Sequence, residues 1–304
     1  MQRRLETIIS PQEGGKTVKD ILIHKLQLSS RLIKKCKRYN GGILLNGQPV
    51  YVTAQVCSGD RLSVLIESEE EGSDIIPVQG NLNIVYEDED LLVLNKPAPM
   101  PTHPSRGHSD DSLANLVMGY YLSRSIRCVF RPVNRLDKDT SGLLLAAKSP
   151  HAHNLLNIQL HSRDFEREYL AVVCGSPPQQ GTVDVPIARA ENSIITRKAD
   201  PFGKRAVTHY KTLLKGEDFS LMRLKLETGR THQIRVHMAH IGHPLAGDFL
   251  YGKEDKRLIT RTALHSWRIR FTHPITRQNL EFKAPLPEDM LNLIKKIHPK
   301  SKEG

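Results

Sequence analysis

A short polar loop is the strongest candidate for chemistry in this sequence. Residues 134–142 place Asp137 and Asp139 between two apolar runs. A carboxylate held in such a loop can act as a nucleophile or as a general acid or base. Aspartates between strands also form turns, and this is the structural alternative for each acid taken alone. A catalytic interpretation of the loop therefore depends on further residues elsewhere in the chain.

Two other segments contain residues that could complete such a site. Tyr169 lies in the apolar run 167–173, where packing within a strand is its alternative role. Arg230 stands at the start of a helix predicted over 231–241, where the helix dipole disfavours a cation. An arginine kept at that position is expected to have an anionic partner, and a carboxylate or a phosphate fits it.

A cluster of histidines in the same region raises the alternative of a metal site. The four are His232, His237, His240 and His243. No acid or cysteine joins them at ligand spacing, and the His-Glu-x-x-His pattern of zinc proteases is absent from the sequence. We therefore expect no metal, and contacts to packing neighbours or to RNA are the favoured interpretation.

The composition is that of an ordinary globular protein with a basic surface. The 304 residues are 38% hydrophobic, 25% charged and 5% aromatic, with a formal net charge of +11. This composition excludes collagen, chain-wide disorder and a membrane bundle, and the positive charge favours a polyanionic partner. No secretory signal is recognised at the N-terminus. The four cysteines lack Cys-x-x-Cys spacing, so we expect neither a zinc ribbon nor a disulfide framework, and a cytoplasmic protein.

The distribution of charge divides the chain into two domains. Residues 1–67 carry eleven Lys and Arg against five acids, whereas residues 68–80 carry four acids and no base. The acidic stretch is polar and contains glycine, which is typical of a linker. We therefore predict a small domain over 1–67, an acidic linker over 68–80 and a larger domain over 81–304.

Two short helices and a small sheet are predicted for the small domain. Ser29 is a candidate N-cap for a second helix that runs through Arg38, and Asn46-Gly47 between apolar runs predicts a hairpin. The second helix carries five cations and no acid. Such a face can neutralise RNA phosphates without reading sequence, or it can simply be solvated. The five cations are Arg31, Lys34, Lys35, Lys37 and Arg38.

Strands dominate the predicted elements of the larger domain. Apolar runs bounded by turn residues predict strands over 129–136, 143–147, 167–173 and 219–226, and an acidic hairpin turn over 87–90. There is no internal repeat and no regular alternation of strands with helices. The predicted class is therefore α+β with a mainly antiparallel sheet.

Taken together, the motifs resemble those of a known family. The run Asn134-Arg135-Leu136-Asp137-Lys138-Asp139-Thr140-Ser141-Gly142 resembles the His-Arg-Leu-Asp-x-x-Thr-Ser-Gly signature of the RluA family of RNA pseudouridine synthases. Further stretches resemble the same family in the same order, namely 93–97, 167–171, 229–239, 242–248, 264–266 and 282–287. Residues 14–67 resemble a ribosomal-protein S-four type RNA-binding domain. The sequence departs from the family at Asn134, which replaces a histidine, and at Pro99, which replaces a glycine.

This resemblance implies an isomerase that converts uridine in RNA to pseudouridine without a cofactor. It assigns the catalytic aspartate to Asp137, and attack on the ribose, attack on the base and assistance of proton loss stay open as its role. Tyr169 is expected to pack against the base and is a candidate proton acceptor, while Arg230 is expected to pair with Asp137. Besides the five cations of the front helix, the residues expected to contact RNA are Arg135, His232 and Arg235.

Other functions and substrates remain alternatives. A phosphotransferase fits the loop aspartates only loosely, and a non-catalytic RNA-binding or ribosome-assembly protein would have no need of the complete catalytic set. Large-subunit ribosomal RNA is the favoured substrate, because an added front RNA-binding module is typical of family members that act on it. The same reaction on transfer RNA is the alternative. We expect a monomer that has no association with membranes.

Overall fold

The computed structural model describes residues 4–66, 73–105, 107–162, 164–191 and 193–297. Part of the predicted acidic linker, residues 68–72, lies outside the described residues. Residues 73–80 form no helix or strand, and the backbone amide of Val78 donates to the carbonyl of Asn115 at 3.0 Å. Within the described residues, no helix combines the length and the hydropathy that a membrane crossing requires.

The front unit is built on an antiparallel sheet of four strands. Two helices cover it, and buried side chains of both helices and of β4 form its core. The strands are β1 (Arg4–Ile8), β2 (Ile43–Leu45), β3 (Gln48–Pro49) and β4 (Arg61–Leu65), in the order β1-β4-β2-β3. The helices are α1 (Val18–Asp20), which continues as a π-helical turn over Ile21–Lys25, and α2 (Ser30–Cys36).

Most of the front unit follows from its sequence. Asn46 and Gly47 have φ values of 51° and 83° and join β2 to β3, so the predicted hairpin is confirmed. The Ser29 hydroxyl accepts from the amide of Leu32 at 3.2 Å and begins α2 as predicted. The helix ends at Cys36, two residues before the predicted end. Strand β1 was not predicted, since its short polar-apolar pattern is too weak a signal.

The larger unit is built on one large sheet with helices on both faces. Its described strands are β5 (Ile84–Glu87), β6 (Leu91–Lys96), β7 (Arg131–Pro132), β8 (Ser141–Ala147), β9 (Glu166–Cys174), β10 (Gln180–Asp184), β11 (Ile187–Arg189), β12 (Arg197–Ala199), β13 (Val207–Lys215), β14 (Phe219–Leu226), β15 (Leu264–Thr272) and β16 (Asn279–Lys283). Its described helices are α3 (Leu113–Ser123), α4 (Pro150–His161), α5 (Gln233–His240) and α6 (Glu288–Ile294).

The large sheet has the strand order β10-β13-β14-β9-β15-β8-β6-β5. Strand β16 pairs with β15, β7 pairs with β8, and β11 and β12 form a separate hairpin. Every described pairing is antiparallel except that of β8 with β15. The predicted α+β class with a mainly antiparallel sheet is therefore confirmed, as is the acidic turn between β5 and β6.

Alternate residues of each central strand face two different cores. On β6, Leu92 and Leu94 pack with α3 and α5, whereas Leu91 and Val93 pack with α4 on the opposite face. Because both faces are covered, the central strands β8 and β9 are almost continuously apolar. This rigid centre carries the loop that precedes β8 and the first residues of β9.

Two predicted elements differ from the structure for identifiable reasons. The strand predicted over 129–136 is reduced to β7. Beyond β7, the side chain of Asn134 instead of its backbone forms the hydrogen bonds to β8. Its Nδ2 donates to the carbonyl of Leu143 and its Oδ1 accepts from the amide of Leu145. The helix predicted over 231–241 begins only at Gln233, because His232 has a φ of 57° and so adopts a left-handed conformation.

Candidate active site

A cleft of about 280 Å³ opens where the loop before β8, the start of β9 and the segment leading into α5 meet. Its volume is close to the lower end of the range of roughly 300–1,000 Å³ that is usual for small-molecule sites. Asp137, Tyr169 and Arg230 all line it. The structure thus brings the three predicted catalytic residues into one cleft, although they are far apart in sequence.

Asp137 presents its carboxylate to this cleft from a loop that two buried cations hold. Its side chain is 30% exposed. On one side of the loop, Nζ of Lys96 donates to the carbonyl of Lys138 at 3.2 Å. On the other side, Nη1 of Arg261 donates to the carbonyl of Asp139 at 3.0 Å. Burial lowers the pKa of Lys96 to about 7.

The positive charge nearest to Asp137 belongs to Arg235. Nη1 of Arg235 lies 3.7 Å from Oδ2 of Asp137, while its Nε and Nη2 each donate to Asp248 at 2.7 Å. Burial alone would lower the pKa of Arg235, but the hydrogen bonds and charge of Asp248, together with the charge of Asp137, raise it. Arg235 is only 4% exposed and lies in the wall of the cleft, so its contact with RNA stays a prediction.

Arg230 does not form the ion pair that was predicted for it. Within the described residues, Asp137 forms an ion pair with Arg235, and Nε2 of the His232 ring lies 3.8 Å from its Oδ2. The Arg230 side chain is exposed at the rim, where its Nε donates to the carbonyl of Arg205 at 3.0 Å. The late start of α5 explains the difference, since Arg230 belongs to the segment before the helix and Arg235 to its inward face.

His232 faces Asp137 with a defined ring nitrogen. Its Nε2 lies 3.8 Å from Oδ2 of Asp137, and its Nδ1 lies 2.9 Å from the hydroxyl of Tyr251. The same hydroxyl accepts from the amide of Arg197 at 2.8 Å, so its own proton is available to Nδ1. We assign the imidazole proton to Nε2, because this nitrogen faces the carboxylate of Asp137 while the Tyr251 hydroxyl can donate to Nδ1. Burial lowers the pKa of His232, so the ring is neutral at neutral pH.

Tyr169 lies on β9 in the wall of the cleft and is 5% exposed. Burial raises the pKa of its phenol, the charge of Arg167 opposes that rise, and the charge of Asp137 adds to it. Ser266 of β15, another influence on this pKa, lowers it. At neutral pH Tyr169 is therefore a neutral phenol.

The other histidines near α5 are held by separate partners. The ring of His237 contacts the Thr208 hydroxyl and the carbonyl of Val185, and Nδ1 of His243 lies 2.9 Å from the carbonyl of Cys174. Among the residues that the structure describes, the one group with metal-ligand spacing lies outside the cleft and consists of Asp88, Asp90 and His273. Nε2 of His273 donates to Asp88 and its Nδ1 accepts from two backbone amides, so both nitrogens are used structurally.

The residues predicted to contact RNA fall into two exposed groups. Arg135 is exposed and lines the rim of the cleft, while His232 lies half-buried within it. In the front unit, α2 buries Leu32, Ile33 and Cys36 and turns its basic side outward. Of the five cations there, Lys35 is half-buried and the others are exposed, namely Arg31, Lys34, Lys37 and Arg38.

Sequence reasoning missed several residues that complete the site. Asp248 and Tyr251 act through Arg235 and His232, and they lie in the loop after α5, where spacing alone gives no signal. Arg167 also lines the cleft and precedes Tyr169 by two residues on the same strand. Period-two spacing from Tyr169 would have placed Arg167 on the face of the cleft.

The fold and the site can now be compared with known proteins. A family model described as RNA pseudouridylate synthase matches residues 90–240. The chain is 43% identical over 272 residues to "Uncharacterized RNA pseudouridine synthase YjbO" of Bacillus subtilis (strain 168), an alignment that covers 89% of this chain and 96% of that relative. It is 39% identical over 267 residues to "Ribosomal large subunit pseudouridine synthase D" of Pasteurella multocida (strain Pm70), covering 83% of this chain and 82% of the relative.

A solved structure agrees with these sequence relatives. "Human RNA Pseudouridylate Synthase Domain Containing 1" superposes with a TM-score of 0.57 at 28% identity, covering 71% of this chain and 86% of the human chain. The fold and the cleft thus define an RNA-modifying isomerase. The chain belongs to the RluA family of RNA pseudouridine synthases.

Proposed function

We propose that Asp137 is the carboxylate that drives the conversion of uridine to pseudouridine in this enzyme, without a cofactor. The observation that carries the proposal is that Asp137 is the one acid among the described residues that line the cleft. Its exposure leaves it open to a nucleotide, while Arg235 and His232 place a cation and an N–H donor beside it.

The reaction is an isomerisation, and its atoms balance without any oxidant. The bond from ribose C1′ to uracil N1 breaks, the ring rotates, and a bond from C1′ to C5 forms. The C5 proton leaves and N1 gains a proton. A carboxylate can assist by attacking the ribose, by attacking the base or by assisting proton loss, and each route uses Asp137 in its ionised form.

Tyr169 is proposed to pack against the target base at the wall of the cleft. Its burial keeps it a neutral phenol, so it could accept the C5 proton only after its own hydroxyl proton has passed to another group. The target base must leave its stack to reach Asp137, because the cleft is too narrow for a duplex. Arg135 and Arg230 are exposed at the rim and are proposed to hold the phosphates beside the flipped nucleotide.

Large-subunit ribosomal RNA is the proposed substrate. The relative from Pasteurella multocida is named a ribosomal large subunit pseudouridine synthase, and the alignment covers 82% of it. The front unit supports this choice, because α2 presents a basic side that can bind structured RNA through its phosphates. We propose that this unit is an S-four type RNA-binding domain and that the enzyme acts as a cytoplasmic monomer. Transfer RNA is the second candidate substrate.

The test compares two neighbouring aspartates of one loop. Asp137→Asn should abolish pseudouridine formation on large-subunit ribosomal RNA transcripts, with unchanged RNA binding. Asp139→Asn is the matched control, because Asp139 does not line the cleft, and it should retain activity. Activity is measured as release of tritium from uridine labelled at C5, in the presence of excess chelator. Substantial turnover by Asp137→Asn, or loss of wild-type activity that added metal restores, would contradict the proposal.

A further inference from the structure

A buried arginine in the wall of the cleft has a nitrogen without a hydrogen-bond partner among the described residues. Arg167 is on β9 two residues before Tyr169, so the two side chains point to the same face of the sheet. Arg167 is 6% exposed, and its Nε is fully buried without a hydrogen-bond partner. Within the described part of the chain, no acidic side chain forms an ion pair with its guanidinium. Unpaired buried cations are rare in folded proteins.

Gly229, which also lines the cleft, leaves the space that the Arg167 guanidinium occupies. A Cβ atom at Gly229 would lie 2.7 Å from Nη1 of Arg167. Its backbone does not have a positive φ, so space alone explains the glycine here. Any side chain at this position would displace the guanidinium from the cleft wall. The cleft is therefore shaped to keep Arg167 in place.

The partner of Arg167 is expected to arrive with the substrate. A buried guanidinium without an acceptor is unfavourable, and a bound ligand that supplies an oxygen removes this penalty. The acid of the cleft, Asp137, is already paired with Arg235 and faces the His232 ring. The missing acceptor is therefore an oxygen of the RNA.

We propose that Arg167 donates hydrogen bonds to a carbonyl oxygen of the target uracil and stabilises the negative charge on the ring when its bond to ribose breaks. This inference rests on the proposed function. The electron pair of the C1′–N1 bond stays with the ring and spreads onto O2 and O4, and the ring then uses a pair to form the C5–C1′ bond. Arg167 neither gains nor loses a proton. A preorganised donor in a site that excludes water is well suited to such developing charge.

The depth of Arg167 favours the base over a phosphate as its partner. Phosphates of a flipped nucleotide remain near the surface, where Arg135 and Arg230 are exposed. Arg167 instead lies beside Tyr169, and its charge opposes the rise in the pKa of that phenol. The group that reaches this wall is the one that Tyr169 is proposed to pack against, which is the uracil ring.

The experiment uses the full-length protein and a large-subunit ribosomal RNA transcript labelled with tritium at uridine C5. Transfer RNA transcripts labelled in the same way replace it if the wild type acts only on those. With saturating enzyme, Arg167→Gln should lower the single-turnover rate constant by about 10²–10³-fold and leave RNA affinity unchanged. Arg167→Lys should restore part of the rate, because it keeps the charge but not the fork of donors.

The matched control is Arg223→Gln, which removes a cation from the neighbouring strand β14 outside the cleft and should keep the wild-type rate. The thermal unfolding temperature separates function from structure. Arg167→Gln removes an unpaired buried charge, so its unfolding temperature should be equal to or above that of the wild type. A clear fall in unfolding temperature, with a rate loss that Arg167→Lys does not restore, assigns a structural role and overturns the proposal.

A transcript carrying 5-fluorouridine tests the charge itself. Fluorine withdraws electrons and stabilises the ring anion, so the rate defect of Arg167→Gln should shrink when loss of 5-fluorouridine is followed by mass spectrometry of the nucleosides. An equal defect on both transcripts overturns the proposal. So does weaker binding with a salt slope reduced by about one unit and an intact rate at saturation, which indicates a phosphate contact. A wild type without tritium release overturns the proposed function instead.

Discussion

Nη1 of Arg235 lies 3.7 Å from the carboxylate of Asp137, and this cation cannot move away from it. Both of its other nitrogens are bound by Asp248, whose side chain is fully buried. Asp248 also accepts from the amides of Leu250 and Tyr251. The charge beside the candidate catalytic acid is thus positioned by a second, buried acid from the loop after α5.

Asp248→Asn should therefore both destabilise the protein and slow the reaction. Loss of this charge leaves the buried Arg235 with only the more distant, partly exposed Asp137 as an acidic partner, and breaking such a buried pair typically costs about 3–5 kcal/mol of unfolding free energy. Urea unfolding measures the stability, and single-turnover tritium release measures the rate. Asp255→Asn is the control, because Asp255 pairs with the exposed Arg257, and it should change neither quantity appreciably. Wild-type stability of Asp248→Asn would show that the buried pair has no structural importance.

Stability should fall on acidification because of a buried histidine, His265, which contacts Ser141 at the end of the loop before β8. His265 contacts the Ser141 hydroxyl through Nδ1 and the carbonyl of Ala284 through Nε2. Burial lowers its pKa from 6.5 to about 4. Between pH 6.5 and pH 4 the unfolded chain binds a proton that the folded protein does not. The contribution is complete above pH 6.5 and falls by about 3 kcal/mol as the pH drops to 4.

A difference measurement isolates this histidine from the many carboxylates that titrate in the same range. His265→Gln keeps one donor and one acceptor but does not titrate. The unfolding free energies of the wild type and of His265→Gln, measured in urea from pH 4 to pH 7.5, should therefore differ by an amount that changes with pH only between 4 and 6.5. A constant difference across that range would mean that His265 is protonated in the folded state.

Tyr251→Phe should slow the reaction while leaving RNA binding intact. The change removes the hydroxyl that donates to Nδ1 of His232, so the imidazole proton is no longer confined to the nitrogen that faces Asp137. The phenylalanine ring can still pack under the guanidinium of Arg235, which lies 5.1 Å from the ring centroid. We expect a fall in rate of about tenfold, equivalent to one hydrogen bond of about 1.4 kcal/mol. An unchanged single-turnover rate would show that the tautomer of His232 is unimportant.

The sequence predicted the members of the site better than their pairing. The motifs that contain Asp137, Tyr169 and Arg230 could be recognised in the sequence, and all three residues line one cleft. The cation that faces Asp137 depends on where α5 begins, and this start is set by the left-handed conformation of His232. The sequence favoured Arg230 because a cation at a helix start is disfavoured and is expected to have an anionic partner, a signal that Arg235 does not give. Burial is a property of the assembled fold, and spacing alone does not reveal it.

The strand predicted over 129–136 illustrates the same limit on the fold. The apolar run was correctly identified as extended, and residues 131–132 do pair with β8. After these residues, the hydrogen bonds to β8 are formed by the side chain of Asn134 and not by its backbone. A pattern of polar and apolar residues does not predict such a side-chain contact. Strand β14, in contrast, spans the predicted residues without deviation, because its alternation of apolar and basic side chains matches one buried face and one open face.

Removing the cations of α2 should weaken RNA binding without changing the chemistry. Lys34→Gln, Lys37→Gln and Arg38→Gln in one variant remove three exposed charges from the side of the helix opposite Leu32 and Ile33. Their ammonium and guanidinium groups form no ion pairs within the described residues, so no acid is left uncompensated and the fold should be unaffected. If all three contact phosphates, the slope of log affinity against log salt should fall in magnitude by about two to three units. Filter binding to a large-subunit ribosomal RNA transcript across a salt series measures that slope.

A variant with Lys211→Gln and Lys215→Gln on the exposed side of β13 is the control for charge alone, and it should keep the slope. The single-turnover rate at saturating enzyme should remain that of the wild type, because Asp137 and its neighbours are untouched. An unchanged slope would mean that the basic side of α2 is only solvated and that the front unit recognises RNA by other residues.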